Sequence, residues 1–141
     1  MNLFAHFTQR LQAALEELKT QGVLPAHAST QGVTVEPPRD PSHGDVATNA
    51  AMVLAKEAKL APRELAGKIA DILGRDSDVA KVDIAGPGFI NLKIADAFWP
   101  AVVRSVLELR EDFGKGSAGS AGRVNVEYVS ANPTGPMHVG H

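Results

Sequence analysis

Between residues 60 and 94 the spacing of apolar side chains changes from a period of about 3.6 to a period of 2, and no other feature limits the fold as much. Leu65, Ile69, Ile72 and Leu73 fall on one face of a helix that Pro62 opens and Gly74 closes. Ala80, Val82 and Ile84 then alternate with Lys81 and Asp83, and Ile90, Leu92 and Ile94 alternate with Phe89, Asn91 and Lys93. Gly86-Pro87-Gly88 stands between the two runs and suits a type II turn with Pro and Gly at its centre. The spacing predicts a β-hairpin with one buried and one open face. The fold class expected is therefore α+β, with helices packed on an antiparallel sheet.

The flanking segments fit that class. Leu3, Phe4, Phe7, Leu11, Ala14, Leu15 and Leu18 recur every three or four residues, so they form the apolar face of a first helix, ended by Gly22 and Pro25. Val33-Thr34-Val35 reads as a short strand, followed by a loop carrying Pro37, Pro38, Pro41 and Gly44. Asp45 is placed to cap an Ala-rich helix over residues 46–59. A last helix is expected after Asp96, with Phe98, Val102, Val106, Leu109 and Phe113 inward. One small domain over residues 1–112 accounts for all of these periods. Residues 113–122, largely the run GKGSAGSAG, have the composition of a flexible linker. The remaining residues 123–141 cannot enclose a core of their own, which suggests the start of a second domain, cut short.

Composition narrows the function. Apolar residues make up 44% and charged residues 21%, which excludes wholesale disorder. Lys and Arg total 14 against 16 Asp and Glu, so a binder held by a general basic surface is excluded and any nucleic-acid contact must be local. Cysteine is absent, which removes disulfides, thiolate metal sites and thiol nucleophiles together. Neither a bilayer-length apolar run nor the order of a secretion signal is visible, so a cytoplasmic protein without a membrane partner is expected.

The sharpest chemical signal is His138-Val139-Gly140-His141 behind a strand-like run and a Pro/Gly turn. In a helix beginning there, the two imidazoles share a face, the N-terminus favours phosphate, and two ring donors can stabilise charge on a transferred phosphoryl group. Gly140 lacks a Cβ and lets a flat base approach the backbone. Two histidines three apart are also common as purely structural residues.

Taken together, residues 127–141, EYVSANPTGPMHVGH, resemble the first signature of class I aminoacyl-tRNA synthetases, in the version found in arginyl-tRNA synthetases. The runs GDVATNAA at 44–51 and AGPGFINL at 85–92 are similar to the same family and occur in its order. The resemblance implies that residues 1–112 are an amino-terminal domain meeting the D-loop corner of tRNA. Residues 123–141 would then open a Rossmann-like catalytic domain. It also implies arginine–tRNA ligation in a longer parent, expected to be a monomer, with L-arginine, arginine tRNA and ATP (with Mg2+) as substrates and no prosthetic group. His138 and His141 match the catalytic histidines, and together with Gly140 the ATP-binding positions. Glu127, Ser130 and Asn132 match positions lining the arginine pocket. A carboxylate suits that place, since a guanidinium favours a planar acceptor pair; alone, Glu127 would be an ordinary strand-end carboxylate, and Ser130 and Asn132 turn residues.

Phe89, Asn91 and Lys93 form a second constellation, because Ile90, Leu92 and Ile94 claim the core face. An exposed aromatic, an amide and a cation on a sheet can stack a splayed base, read its edge and hold phosphate. The alternative is a Phe89 packed under a neighbouring helix and a merely solvated Asn91. Phe89 and Asn91 also match family positions that recognise a D-loop nucleotide. Elsewhere, His43 and Asp45 read as a loop histidine before a cap, Asp76 and Asp78 as a solvated turn, and His6 and His27 as residues without partners.

The second class I signature, most of the nucleotide-binding sheet and the anticodon-binding region have no counterpart here, so the 141 residues are expected to be inactive by themselves. A stand-alone tRNA-binding module is the competing reading, but such a module has no use for residues 127–141. Another nucleotidyltransferase sharing only His-x-Gly-His is disfavoured by the hairpin and by GDVATNAA.

Overall fold

The computed structural model describes residues 2–115 and, beyond them, Arg123, Asn125 and Glu127 singly. α1 (Leu3–Thr20) opens at Asn2, whose side-chain oxygen accepts from the Ala5 N–H at 3.0 Å and satisfies a donor of the first turn. Phe7, Leu11, Ala14, Leu15 and Leu18 are buried along its inner face, as the period requires. α3 (Pro62–Leu73) buries Leu65, Ala66, Ile69 and Leu73. Four antiparallel strands form the sheet, in the order β1 (Val35–Glu36), β2 (Val46–Thr48), β4 (Phe89–Ile94) and β3 (Val79–Ala85). Leu54 of α2 (Ala50–Ala58), Leu65 and Ile69 of α3, and Val46, Ile90 and Ile94 of the sheet share one core. Each such side chain contributes about 1.5–3 kcal/mol through burial. The α+β expectation holds.

Residues 46–59 are not one helix. Val46, Ala47 and Thr48 form β2, buried between β1 and β4, and α2 starts only at Ala50. Asp45 caps nothing. Its carboxylate accepts from the Ile94 N–H at 2.9 Å and from Lys93 Nζ at 3.1 Å. Three small or β-branched residues carry no period of their own, so pairing with the central strand decides their state.

The hairpin forms with two changes. Gly88 N–H donates to the Ala85 carbonyl at 3.2 Å, so Gly86-Pro87 is the turn centre, with Gly86 at φ +51°. A left-handed first central residue belongs to the primed turns, whose twist suits a hairpin better than type II. The β3–β4 register also slips between Val79 and Lys81. Ala80 is thereby exposed, and Val79 joins Val82 and Ile84 against the core.

The last helix departs furthest from expectation. A 3₁₀ turn (Asp96–Phe98) leads into α4 (Trp99–Leu109). Phe98 is buried and Val102 packs against the core, but Val106, Leu109 and Phe113 are exposed rather than inward. After its first turn α4 leaves the core. Among the described residues no helix is long and apolar enough to cross a membrane.

Candidate nucleic-acid interface

β4 is bonded on both sides, and its two faces differ. Ile90, Leu92 and Ile94 are buried against the helices. Phe89, Asn91 and Lys93 project to the other face, as alternation predicts. Phe89 is 39% exposed at the turn end, and Lys93 is exposed at the far end.

Asn91 between them is only 5% exposed, which corrects the expectation of an open amide. Across the sheet it stands level with Ala47 of β2 and Asp83 of β3. A side chain in the middle of a central strand has a neighbouring strand on each side, and here both are paired along its length. No fully buried side-chain nitrogen or oxygen among the described residues lacks a partner, so the amide is not an orphaned group. It lies between the exposed Phe89 and the exposed Lys93 on the same face of β4.

The strand is seated at both ends. At the turn, a Cβ on Gly88 (φ +145°) would lie 3.1 Å from the Pro62 backbone, so only glycine lets the first turn of α3 press so closely. The neighbouring Arg63 guanidinium donates to the Gly86 carbonyl. At the other end a Cβ on Gly44 would meet the Leu92 carbonyl oxygen at 2.6 Å, and the Asp45 N–H donates to that oxygen at 2.9 Å. The GDVATNAA run is thus a clamp on β4. It continues to Asn49, whose side chain accepts from the Thr34 N–H and donates to the Gly32 carbonyl, tying down the loop before β1. Arg63 carries no sequence signal beyond its place after Pro62, and its role went unforeseen.

Cations on the open face are already paired. The exposed Lys93 meets the half-buried Asp45 at 3.1 Å, and Lys81 meets Asp83 at 2.7 Å in solvent. Exposed pairs of this kind are worth about 0–1 kcal/mol and are readily exchanged for a phosphate. The remaining candidates are structural. His6, expected to be alone, meets Asp78 at 2.9 Å, while Arg10 meets Asp76 at 3.1 Å, so the Asp76–Asp78 turn is paired to α1 rather than solvated. Asp40 starts the short 3₁₀ turn Pro41–His43; hydrogen bonds from Ser42 hold its carboxyl below the ordinary value. Among the described residues no group of three His, Asp or Glu could hold a metal ion.

The second constellation is thus brought together on one strand. The first is not: His138, Gly140, His141, Ser130 and Asn132 lie outside the described residues, and Glu127 is described only as exposed. The family model for "Arginyl tRNA synthetase N terminal domain" matches residues 5–94, from α1 through β4. The chain belongs to that family. Proteins named arginine–tRNA ligase are similar along the whole chain: 56% identity over 141 residues in Parvibaculum lavamentivorans, 55% in Xanthobacter autotrophicus and 53% in Roseobacter denitrificans. In each, the match spans 24% of the relative's length. For this member of the arginyl-tRNA synthetase N-terminal domain family, both clamps on β4 and all of its open face fall inside the matched residues, whereas α4 falls outside.

Proposed function

We propose that the chain is the amino-terminal part of an ATP-dependent arginine–tRNA ligase and that the open face of β4 contacts the D-loop of arginine tRNA. The exposed Phe89 ring, on the same face of β4 as Asn91 and Lys93, is the observation that supports the RNA contact. A rigid aromatic can stack an unpaired base while the amide reads its edge and the cation holds phosphate. With 12 Lys and Arg against 15 Asp and Glu through residue 112, affinity must come from this local fit.

In the longer ligase, residues 1–112 form the RNA-contacting domain, 113–122 the linker, and 123–141 the opening strand of a Rossmann-like catalytic domain. The arginine carboxylate attacks the α-phosphate of Mg2+-bound ATP, pyrophosphate leaves, and a terminal ribose hydroxyl of tRNA then takes the arginyl group from the adenylate, releasing AMP. His138 and His141 donate to the charge that develops at the α-phosphate, Gly140 admits the adenine, and Glu127, Ser130 and Asn132 hold the arginine. The protein acts in the cytoplasm as a monomer. Arginine-dependent ATP–pyrophosphate exchange by the full-length protein, in the presence of tRNA, tests the assignment. His138→Ala or His141→Ala should slow it by roughly two to three powers of ten. Wild-type exchange in both variants would remove the histidines from the site, and no exchange by the unaltered protein would remove the ligase itself.

A further inference from the structure

α4 presents an apolar surface that its own domain does not use. At about 100° per residue, Leu109, Val102, Val106, Trp99, Val103 and Leu107 fall within one arc of about 160°, with Arg104, Ser105 and Glu108 on the other side. At its first turn Val102 packs against the core and the Trp99 ring meets the buried Phe98 ring edge-on, with centroids 6.0 Å apart, whereas Val103, Val106, Leu107 and Leu109 are exposed. Val103 is 57% exposed and Leu107 69%, and no residue of α4 is buried. An amphipathic helix whose apolar side faces water is the signature of a surface that another body covers.

The position of α4 selects the occupant. The helix lies beyond the residues matched by the family model, 5–94, and immediately before the Gly/Ser/Ala-rich stretch 114–122. The relatives run on for about three times the length that the chain matches. A tether of this length holds whatever follows it at millimolar effective concentration, far above a second copy at micromolar concentration. We infer that the arc of α4 is the surface on which the downstream body of the same polypeptide docks, fixing the RNA-contacting sheet at one orientation to it. This rests on the reading of the chain as the first part of a longer ligase.

Residues 1–141 contain no cysteine, so a thiol placed on the arc reports its covering. Leu107→Cys is made in the full-length protein and in the 141-residue chain. Maleimide labelling at that position is followed by peptide mass spectrometry, while pyrophosphate exchange reports whether the ligase reading stands. Labelling at least tenfold slower in the full-length protein, independent of protein concentration, supports docking. Equal rates in an active full-length protein overturn docking while leaving the ligase reading intact. Protection that rises with concentration, or that also occurs in the 141-residue chain, assigns the surface to a second copy and equally overturns it. Leu107→Asp is the second test. It should speed proteolysis between residues 110 and 123 of the full-length protein without changing the melting of the 141-residue chain; no change in proteolysis counts against docking.

Discussion

β4 and α4 are both strongly apolar segments of one small protein, and they end in opposite states. Ile90, Leu92 and Ile94 are sealed by two neighbouring strands and the helices, with glycine contacts clamping each end of the strand. Val103, Val106 and Leu107 face water. An apolar pattern says which side of an element must be covered, but only the remaining chain decides by what. In β4 the cover is the domain itself, which leaves Phe89 and Lys93 exposed on the opposite face. In α4 the cover lies elsewhere.

The contrast can be broken by substitution. Ile90→Ala should destabilise the 141-residue chain by about 2–5 kcal/mol, the range for deleting a buried side chain, whereas Leu107→Ala should stay within about 0.5 kcal/mol. Denaturant melts of both compare them directly, and equal losses would mean that α4 is packed. Next in size is Gly44→Ala. Its Cβ would collide with the Leu92 carbonyl at a backbone angle that side chains avoid, so a loss of about 1–3 kcal/mol is expected in the same melts. A neutral result would show that the clamp on β4 yields. Arg63→Met removes the donor to Gly86 and should cost about 0.5–1.5 kcal/mol. A smaller loss of stability together with unchanged RNA binding would show that the turn does not need it.

The smallest effect is electrostatic. Hydrogen bonds from Ser42 lower the Asp40 pKa, so its contribution is present above the ordinary 3.8 and disappears as pH falls through the lower folded value. Any melting difference between the wild type and Asp40→Asn should therefore be visible at about pH 6 and shrink as the pH is taken below 3.8. A difference that widens on acidification would reverse the sign.

The helices and hairpin were legible because their periods are long enough to declare a buried side. Phe89 and Lys93 were legible as neighbours on the open face for the same reason. β2 was hidden, since Val46-Ala47-Thr48 becomes a strand by pairing with Val35–Glu36 on one side and, on the other, with residues 90–92, more than forty positions away. That same pairing sets Ala47 beside Asn91, so the amide's place in the middle of a sheet paired on both sides was hidden with it. His6 and Asp78 are 72 residues apart and meet only through packing of α1 on the turn after α3. The outward face of α4 was the converse case. Its period marks a helix with an apolar side, but of Phe98, Val102, Val106, Leu109 and Phe113 only the first two meet the core, because a period does not say whether the same domain supplies the cover.

The function proposed for this domain requires that the open face of β4 touch RNA. Titration of the full-length protein and its Phe89→Ala variant against arginine tRNA and a D-loop variant measures this. Loss of one base–aromatic stack is worth about 1–3 kcal/mol, so Phe89→Ala should weaken binding to arginine tRNA by roughly five- to a hundredfold. The variant should also lose most of the discrimination between the two RNAs, with the melting curve little changed because Phe89 lies outside the core. Wild-type affinity of Phe89→Ala for both RNAs would contradict the account and leave the face of β4 as structure alone.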